Sequence, residues 1–331
     1  MTRSALEAET RAATARPPGV AGPSAAPKRS QRRSGRWTAV ALFLLPALVL
    51  FTLLVLAPIV VAGYTSVFKW NGFGGLPTNF IGLDNFERML KDKVFLGDLK
   101  NGLILIILSM VVQLPLALGI ALLLNQRFRG RAVFRLLFFA PYVLSEVIAG
   151  VLFTMIFSGS RGLGGKIADF LGLGGAGLLG DPKIVLYTLF FVITWKYFGF
   201  HMILYLAGRQ NIPNELIESA MIDGASPWQT FRHVTLPLLG PTIRISVFLS
   251  VIGTIQLFDM VWVFTKGGPI HASETMAVTM FDYGFRRAEV GYATAISVAM
   301  FVISFVFAIA YQRFVMRRDL EGAVTGMRDQ R

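Results

Sequence analysis

The chain has 331 residues, 54% of them hydrophobic and only 15% charged, with a mean hydropathy of +0.60. A soluble domain carries about 25% charged residues, so an ordinary water-soluble fold is excluded, and the absence of cysteine excludes disulfides, thiolate metal sites and cysteine nucleophiles. A net charge of +13 would suggest a nucleic-acid partner in a soluble protein, but here its distribution over the loops has another cause.

Residues 1–36 are rich in Ala, Arg, Pro and Ser without apolar periodicity, which predicts a disordered tail. A basic stretch ahead of an apolar one also fits a signal peptide. However, the run from Ala39 to Tyr64 is too long for a signal core, and no small-residue cleavage site follows it. Apolar runs of roughly 20 to 25 residues can cross a hydrocarbon core of about 30 Å as helices. Six such spans are predicted, at about 39–63, 102–124, 135–157, 184–207, 243–264 and 292–313. Pro46, Pro58, Pro115 and Pro141 fall in or near them, which membrane helices tolerate. The domain reading is a tail over 1–36, a six-helix membrane domain over 37–315 with a long loop at 208–242, and a second tail over 316–331.

Charge orients these spans. The first tail, the loops at 125–135 and 208–242 and the last tail together hold 19 Lys/Arg and 8 acids, against 11 and 9 in the three intervening loops. Arg127, Arg129, Arg131 and Arg135 stand unopposed in one short loop. The positive-inside rule therefore puts both termini in the cytoplasm. The net charge reads as a topology signal, with membrane lipid as the surroundings and no nucleic acid. The external loop at 65–101 is the longest, and its Trp70, Phe80 and Phe86 suit a membrane interface.

The loop at 208–242 departs from this pattern, with two Lys/Arg against three acids. It reads as two short helices. Pro213 suits a first helical turn, with Glu215 and Glu218 near the positive end of the helix dipole. Leu216, Ile217, Ala220 and Met221 supply an apolar face at helical spacing, and Asp223-Gly224 stops the helix through a left-handed glycine. Ser226, Pro227 and Gln229 then form a capping-box start. Leu236-Pro237 and Gly240-Pro241 close the segment. The apolar face either packs on the protein's own helix ends or docks into a groove of another protein. A membrane-surface helix would be rich in Lys and Arg, and this one is acidic.

Glu218-Ser219-Ala220, three residues, Gly224, nine residues and Val234-Thr235-Leu236-Pro237 resemble the EAA loop of binding-protein-dependent ABC importer permeases. That signature reads E-A-A, three residues, G, nine residues, I-x-L-P. Ser219 and Val234 are the departures. The resemblance runs from about 39 to 315 and is nearest to the sugar-transporter branch, of the maltose and glycerol-phosphate type. Phe80 to Phe86, Arg135 to Pro141, Ile222 to Ala225, Phe258-Asp259 and Thr265 to Pro269 also carry it.

The resemblance implies an all-α integral membrane protein with the type I ABC importer permease (MetI-like) fold, lodged in the plasma membrane. It implies translocation of a mono- or oligosaccharide by a heterodimer with a second permease, fed by an extracytoplasmic sugar-binding protein. Cytoplasmic ABC ATPase subunits would bind ATP and Mg, while this chain holds no cofactor and breaks no bond. Glu218, Ser219, Ala220, Asp223, Gly224, Leu236 and Pro237 would form the coupling loop that sits in the ATPase groove. A glycerol-phosphate importer is similar in sequence.

Polar groups inside spans are costly and face a pathway or a partner. Gln113, Glu146, Trp195, Lys196, Tyr197, His201, Gln256 and Asp259 are such groups. Sugars are held by aromatic faces and side-chain hydrogen bonds, so Tyr197, Phe200 and Gln256 are candidate substrate contacts. Lys196 is a fourth, unless it snorkels or pairs with Glu146 or Asp259. The resemblance puts the matching positions of maltose-type relatives near the sugar pathway. His201, His233 and His271 sit on different segments, which predicts no metal cluster. Gly162, Gly164 and Gly165 lack the Lys-Ser/Thr ending of a phosphate-binding loop. A secondary transporter would show inverted repeats, and none is visible. A membrane enzyme would cluster acid/base residues, whereas these polar residues are spread over four spans.

The charge distribution makes a topological prediction. Reporters fused after Arg131 or after Arg317 are expected on the cytoplasmic side, and one at Gly165 outside. Cytoplasmic signal from the Gly165 fusion would rule out the six-span arrangement.

Overall fold

Six apolar stretches fold as helices with two pronounced bends in a computed structural model that describes residues 33–126, 128–157, 163–170, 172 and 177–317. Residues 1–32 of the expected first tail and 318–331 of the expected last tail, together with Arg127 and Gly162, lie outside the described residues. Among the described residues, four helical stretches are long and apolar enough to cross a bilayer: Val40–Thr65, Lys93–Asn125, Val185–Gln210 and Val290–Met316. Two bent pairs, Arg131–Val143 with Glu146–Phe157 (96°) and Pro227–Leu238 with Gly240–Ile255 (64°), bring the number to six if each pair is one span.

The described residues up to Leu56 form one unit. It contains α1 (Arg33–Phe51), with Pro46 inside it, and a π-helical turn at Thr52–Leu56. Among the described residues the chain is helical from Arg33.

The second unit starts at Ala57 with α2 (Ala57–Thr65), followed by α3 (Asp84–Lys91) and α4 (Lys93–Leu108). A π-helical turn at Ser109–Gln113 leads into α5 (Leu114–Asn125). The second span therefore begins at Lys93, well before the expected 102, because Asp92 caps it by accepting from the Val94 N–H at 2.9 Å. Asn85, in one of the resemblance motifs, is buried and donates to the carbonyls of Ser66 (2.8 Å) and Phe68 (3.0 Å). That motif ties α3 to the chain just after α2.

α6 (Arg131–Val143) and α7 (Glu146–Phe157) replace the expected straight third span. Pro141 within α6 removes a backbone donor, and Leu144 is extended at φ −65° and ψ 144°. After α8 (Val185–Gln210) come α9 (Asn214–Ile222) and α10 (Pro227–Thr230). α11 (Gly240–Ile255) and α12 (Asp259–Phe264) divide the expected fifth span at 256–258. α13 (Met276–Phe281) and α14 (Val290–Tyr311) complete the unit.

The core forms around α8, which packs on α5 and α6, while α12 packs on α7 and α14 on α2. Ala117, Ala121 and Leu124 of α5 meet Phe198, Met202, Tyr205 and Leu206 of α8. Small residues allow these close crossings. A Cβ on Gly199 would lie 2.0 Å from the Phe138 carbonyl oxygen, so the α6–α8 contact is backbone against backbone. A second cluster packs Phe153 and Phe157 of α7 against Leu189 and Phe190 of α8 and Met260 and Phe264 of α12. The two clusters hold the middle of α8 from opposite ends and leave a gap between them.

Candidate functional site

That gap is a cavity of about 370 Å³. Its wall on α8 is the stripe Phe190, Ile193, Tyr197, Phe200 and His201, spaced as one helical face. α4 and its π-helical turn contribute Leu105, Ser109 and Gln113, and the α6–α7 bend contributes Tyr142 and Glu146. α11 and the break after it supply Ser250, Gly253, Thr254, Gln256, Leu257, Phe258 and Asp259.

Three of the four candidate substrate contacts, Tyr197, Phe200 and Gln256, line this cavity. Phe200 stacks on Tyr142 with ring centroids 4.9 Å apart, and Tyr142 meets Tyr197 edge-on at 6.0 Å. The Tyr197 hydroxyl donates to the Glu146 carboxylate. Gln256 and Asp259 are exposed in the single chain, and neither makes a side-chain hydrogen bond among the described residues. Ser109 donates to Gln113 at 2.6 Å, and His201 Nδ1 lies 2.7 Å from the Ser246 hydroxyl.

Lys196 is placed differently. It is 2% exposed and does not line the cavity. Its ammonium donates to the backbone carbonyls of Tyr142 and Leu144 at the α6–α7 bend, rather than pairing with Glu146 or Asp259 within ion-pair distance. Bending a helix by 96° frees carbonyls from the i,i+4 ladder, and in a membrane those must find donors. The lysine thus satisfies the bend.

The view that the intramembrane polar residues are dispersed is corrected by the fold. Gln113, Glu146, His201, Gln256 and Asp259 come from separate helices and converge on one cavity. The signal for this was the stripe on α8 at intervals of three and four, which is visible once Phe190 and Ile193 are read together with Tyr197 and His201. Trp195 points away, packing edge-on against Phe153 at 4.9 Å. Ser109, Ser250 and Thr254 had no signal beyond their helical phase. No group of His, Asp or Glu among the described residues could hold a metal ion.

The second candidate site is the loop between α8 and α11. Gly224 has φ +82°, and the α9 end forms two bonds: Ala225 N–H to the Ala220 carbonyl at 2.9 Å and Gly224 N–H to the Met221 carbonyl at 3.1 Å. This is the Schellman pattern. A Cβ on Gly224 would meet nothing within 4 Å, so what matters there is backbone conformation, not space. Ser226 and Gln229 form the expected reciprocal capping box, while Pro213 occupies the cap position just before α9. The apolar face of α9 is split. Ile217 is buried against Ile212 and Leu239, but Leu216, Met221 and Ile222 are exposed, as is Trp228 of α10. Glu218, Ser219 and Asp223 are exposed beside them, Ala220 is half-buried, and Leu236 and Pro237 start the short helix Leu236–Leu238.

Residues 113–319 match the model of the family described as binding-protein-dependent transport system inner membrane component. The chain is 34% identical to a probable ABC transporter permease protein of Pyrococcus horikoshii, over 85% of this chain and 96% of that one. It is 31% identical to the sulfoquinovosyl glycerol transport system permease protein of Agrobacterium fabrum, over 84% and 90%. A chain of the crystal structure of a bacterial ABC transporter involved in the import of the acidic polysaccharide alginate superposes with a TM-score of 0.74 at 25% identity, covering 86% of this chain and 96% of that one. The chain therefore belongs to the family of binding-protein-dependent transport system inner membrane components, and it is an integral membrane permease of the ABC importer type.

The geometry at Lys196 makes a prediction that separates it from the cavity residues. Lys196→Met leaves two carbonyls without their charged donor, so the solubilised protein is expected to lose about 1.5–3 kcal/mol of stability. The concentration dependence of uptake by the surviving fraction is expected to stay unchanged. A variant of wild-type thermal stability with altered substrate affinity would place Lys196 in the substrate path instead.

Proposed function

We propose that this permease imports a sugar, a mono- or oligosaccharide, across the plasma membrane with energy from separate ATPase subunits. The observation that carries the ATP-coupled part is the split face of α9. Of α9 only Ile217 is buried, and Leu216, Met221, Ile222 and Trp228 are left uncovered, with Ile222 85% and Trp228 65% exposed. Such a surface, acidic at its edge through Glu218 and Asp223, suits insertion into a groove on a protein. In this reading both termini and the coupling loop are cytoplasmic, flanking the membrane domain at 37–315. A second, similar permease completes the pathway, and an extracytoplasmic sugar-binding protein delivers substrate. ATP and Mg are bound on the ATPases, whose closure moves the loop around Glu218 to Gly224.

The sugar part rests on the cavity. Stacked Tyr142 and Phe200 offer aromatic faces, and Tyr197, Thr254, Ser250 and Gln256 offer hydrogen-bonding groups among apolar walls, the mixture expected of a small-molecule site. The similarity to the permease for sulfoquinovosyl glycerol and to the alginate importer supports a glycoside over glycerol phosphate. Gln256→Leu is expected to weaken uptake by about 0.5–1.5 kcal/mol, a few-fold, with normal membrane insertion. Unaltered uptake across a sugar panel would remove Gln256 from the site.

The coupling assignment is tested at two positions. Glu218→Lys reverses a charge on the exposed face, and Gly224→Asp puts a side chain on a left-handed residue at a cost of about 1 kcal/mol or more, skewing α9 against α10. Both variants are expected to insert normally but to lose co-purification of the ATPase or substrate-stimulated hydrolysis. Wild-type ATPase recovery and uptake in both would refute the assignment.

A further inference from the structure

The charged groups on the cavity wall are Glu146, at the start of α7, and Asp259, at the start of α12; among the described residues no lysine or arginine lines it. The neighbouring cation, Lys196, turns its ammonium to the carbonyls of Tyr142 and Leu144. Of the other titratable wall groups, Tyr197 donates to Glu146, Tyr142 stacks on Phe200, and His201 faces the Ser246 hydroxyl. Asp259 has no ion pair or side-chain hydrogen bond among the described residues. Between aromatic and aliphatic walls, charges act at lower effective dielectric and with less screening than in open water. Walls of one sign in such a cleft raise the local concentration of opposite charge and lower that of like charge.

We propose that this cavity selects glycosides that are neutral or carry an amino cation, and rejects acidic ones, with Asp259 as the specificity-determining residue. This rests on the reading of the cavity as a sugar pathway. Hydroxyls of a neutral sugar donate to the free Asp259 carboxylate, and an ammonium group gains charge attraction there. A uronate or sulfonate brings a third negative charge among two and finds no cation on this wall. The chain would thereby differ from two proteins it is similar to, whose cargoes are an acidic polysaccharide and a sulfonated glycoside.

The lack of cysteine allows one introduced thiol to report the field. Gly253 lies on the wall, and a Cβ there meets nothing within 4 Å. Gly253→Cys is made in the full chain, co-expressed with its partner subunits and solubilised. Its rates with cationic trimethylammonioethyl and anionic sulfonatoethyl methanethiosulfonate are measured, each divided by that reagent's rate with free 2-mercaptoethanol. The cation-to-anion ratio is expected to exceed one several-fold and to fall by about three-fold or more when Asp259→Asn is added. A ratio of one or less, a ratio indifferent to Asp259→Asn, or a thiol silent to both reagents overturns the proposal. In parallel, cells producing the assembled transporter and its binding protein are given maltotriose, the glucosamine trimer and trigalacturonate. Uptake of the first or second without the third is expected. Trigalacturonate carried as fast as either overturns the charge selection while leaving the sugar reading in place. A high thiol ratio with none of the three carried removes the sugar reading itself, and the proposal with it.

Discussion

In hydrocarbon a carbonyl without a donor is costly, and the turn between α6 and α7 presents two, on Tyr142 and Leu144, both answered by the Lys196 ammonium. Much of the cavity depends on that arrangement. Because the chain can turn through 96° at this point, Tyr142 and Glu146 face inward from the two sides of the bend rather than lying along a straight lipid-facing helix. Tyr197, next to Lys196 on α8, then reaches Glu146 with its hydroxyl. Two adjacent residues of α8 thus divide the work, one holding the irregular backbone and the other lining the space that the backbone opens. A similar solution appears across the cavity, where the break between α11 and α12 leaves the Leu257 carbonyl to accept from the Thr275 hydroxyl at 2.7 Å. Irregular backbone at membrane depth occurs where it borders a cavity and where side chains can satisfy it.

The cavity and the loop between α8 and α11 share their supports. α8 carries Tyr197, Phe200 and His201 and runs on to Gln210, the last helical residue before the loop. α11 begins at Gly240, the first residue after it, and carries Ser250, Gly253 and Thr254 on the cavity wall. The loop is pinned to its own permease by a small cluster of Ile212, Ile217 and Leu239 against Leu118, Leu122 and Ile243. A force applied to α9 would therefore be passed to the near ends of both wall helices through packed side chains, which respond as units rather than by continuous deformation. The Schellman turn at Gly224 and the capping box at Ser226 stiffen the corner between α9 and α10, so a push on one short helix is not dissipated in the turn.

How much of this was legible in the sequence depended on the range of the interactions. The loop was readable almost to the bond, because caps and left-handed glycines are set by residues two to five positions apart: Ser226 with Gln229, and Gly224 with Ala220 and Met221. The spans were readable as apolar lengths. Their bends were not, because Pro141 occurs in straight and bent membrane helices alike, and the factor that decides is Lys196, over fifty positions away. The early start of α4 was missed because Asp92 and Asp98 read as loop charges, although Asp98 is buried and accepts from Thr279 at 2.6 Å. Tyr197, Phe200 and Gln256 were identified by chemistry and are brought together by the fold. Lys196 was identified by the same chemistry, but its partners are backbone carbonyls, which no sequence pattern advertises.

The arginines of three loop segments, finally, are partnered in two ways. In the segments at 65–101 and 265–291 the arginines are locally matched: Arg88 pairs with Glu289 and lies over the rings of Tyr283 and Tyr292, while Arg286 and Arg287 share Asp282. Lys91 pairs with Glu87 one helical turn away. In the short loop before α6, Arg129 and Arg131 have no ion pair among the described residues, and Arg135 donates to the Leu124 carbonyl at 3.0 Å. A matched arginine presents a dipole to the membrane surface, whereas an unmatched one presents a full charge to anionic headgroups, worth about 1 kcal/mol each near the surface. The unpaired arginines before α6 thus suit an anionic leaflet. Beside the asymmetry that appears in the sequence as a count of Lys and Arg, the arginines of these segments differ in how they are partnered.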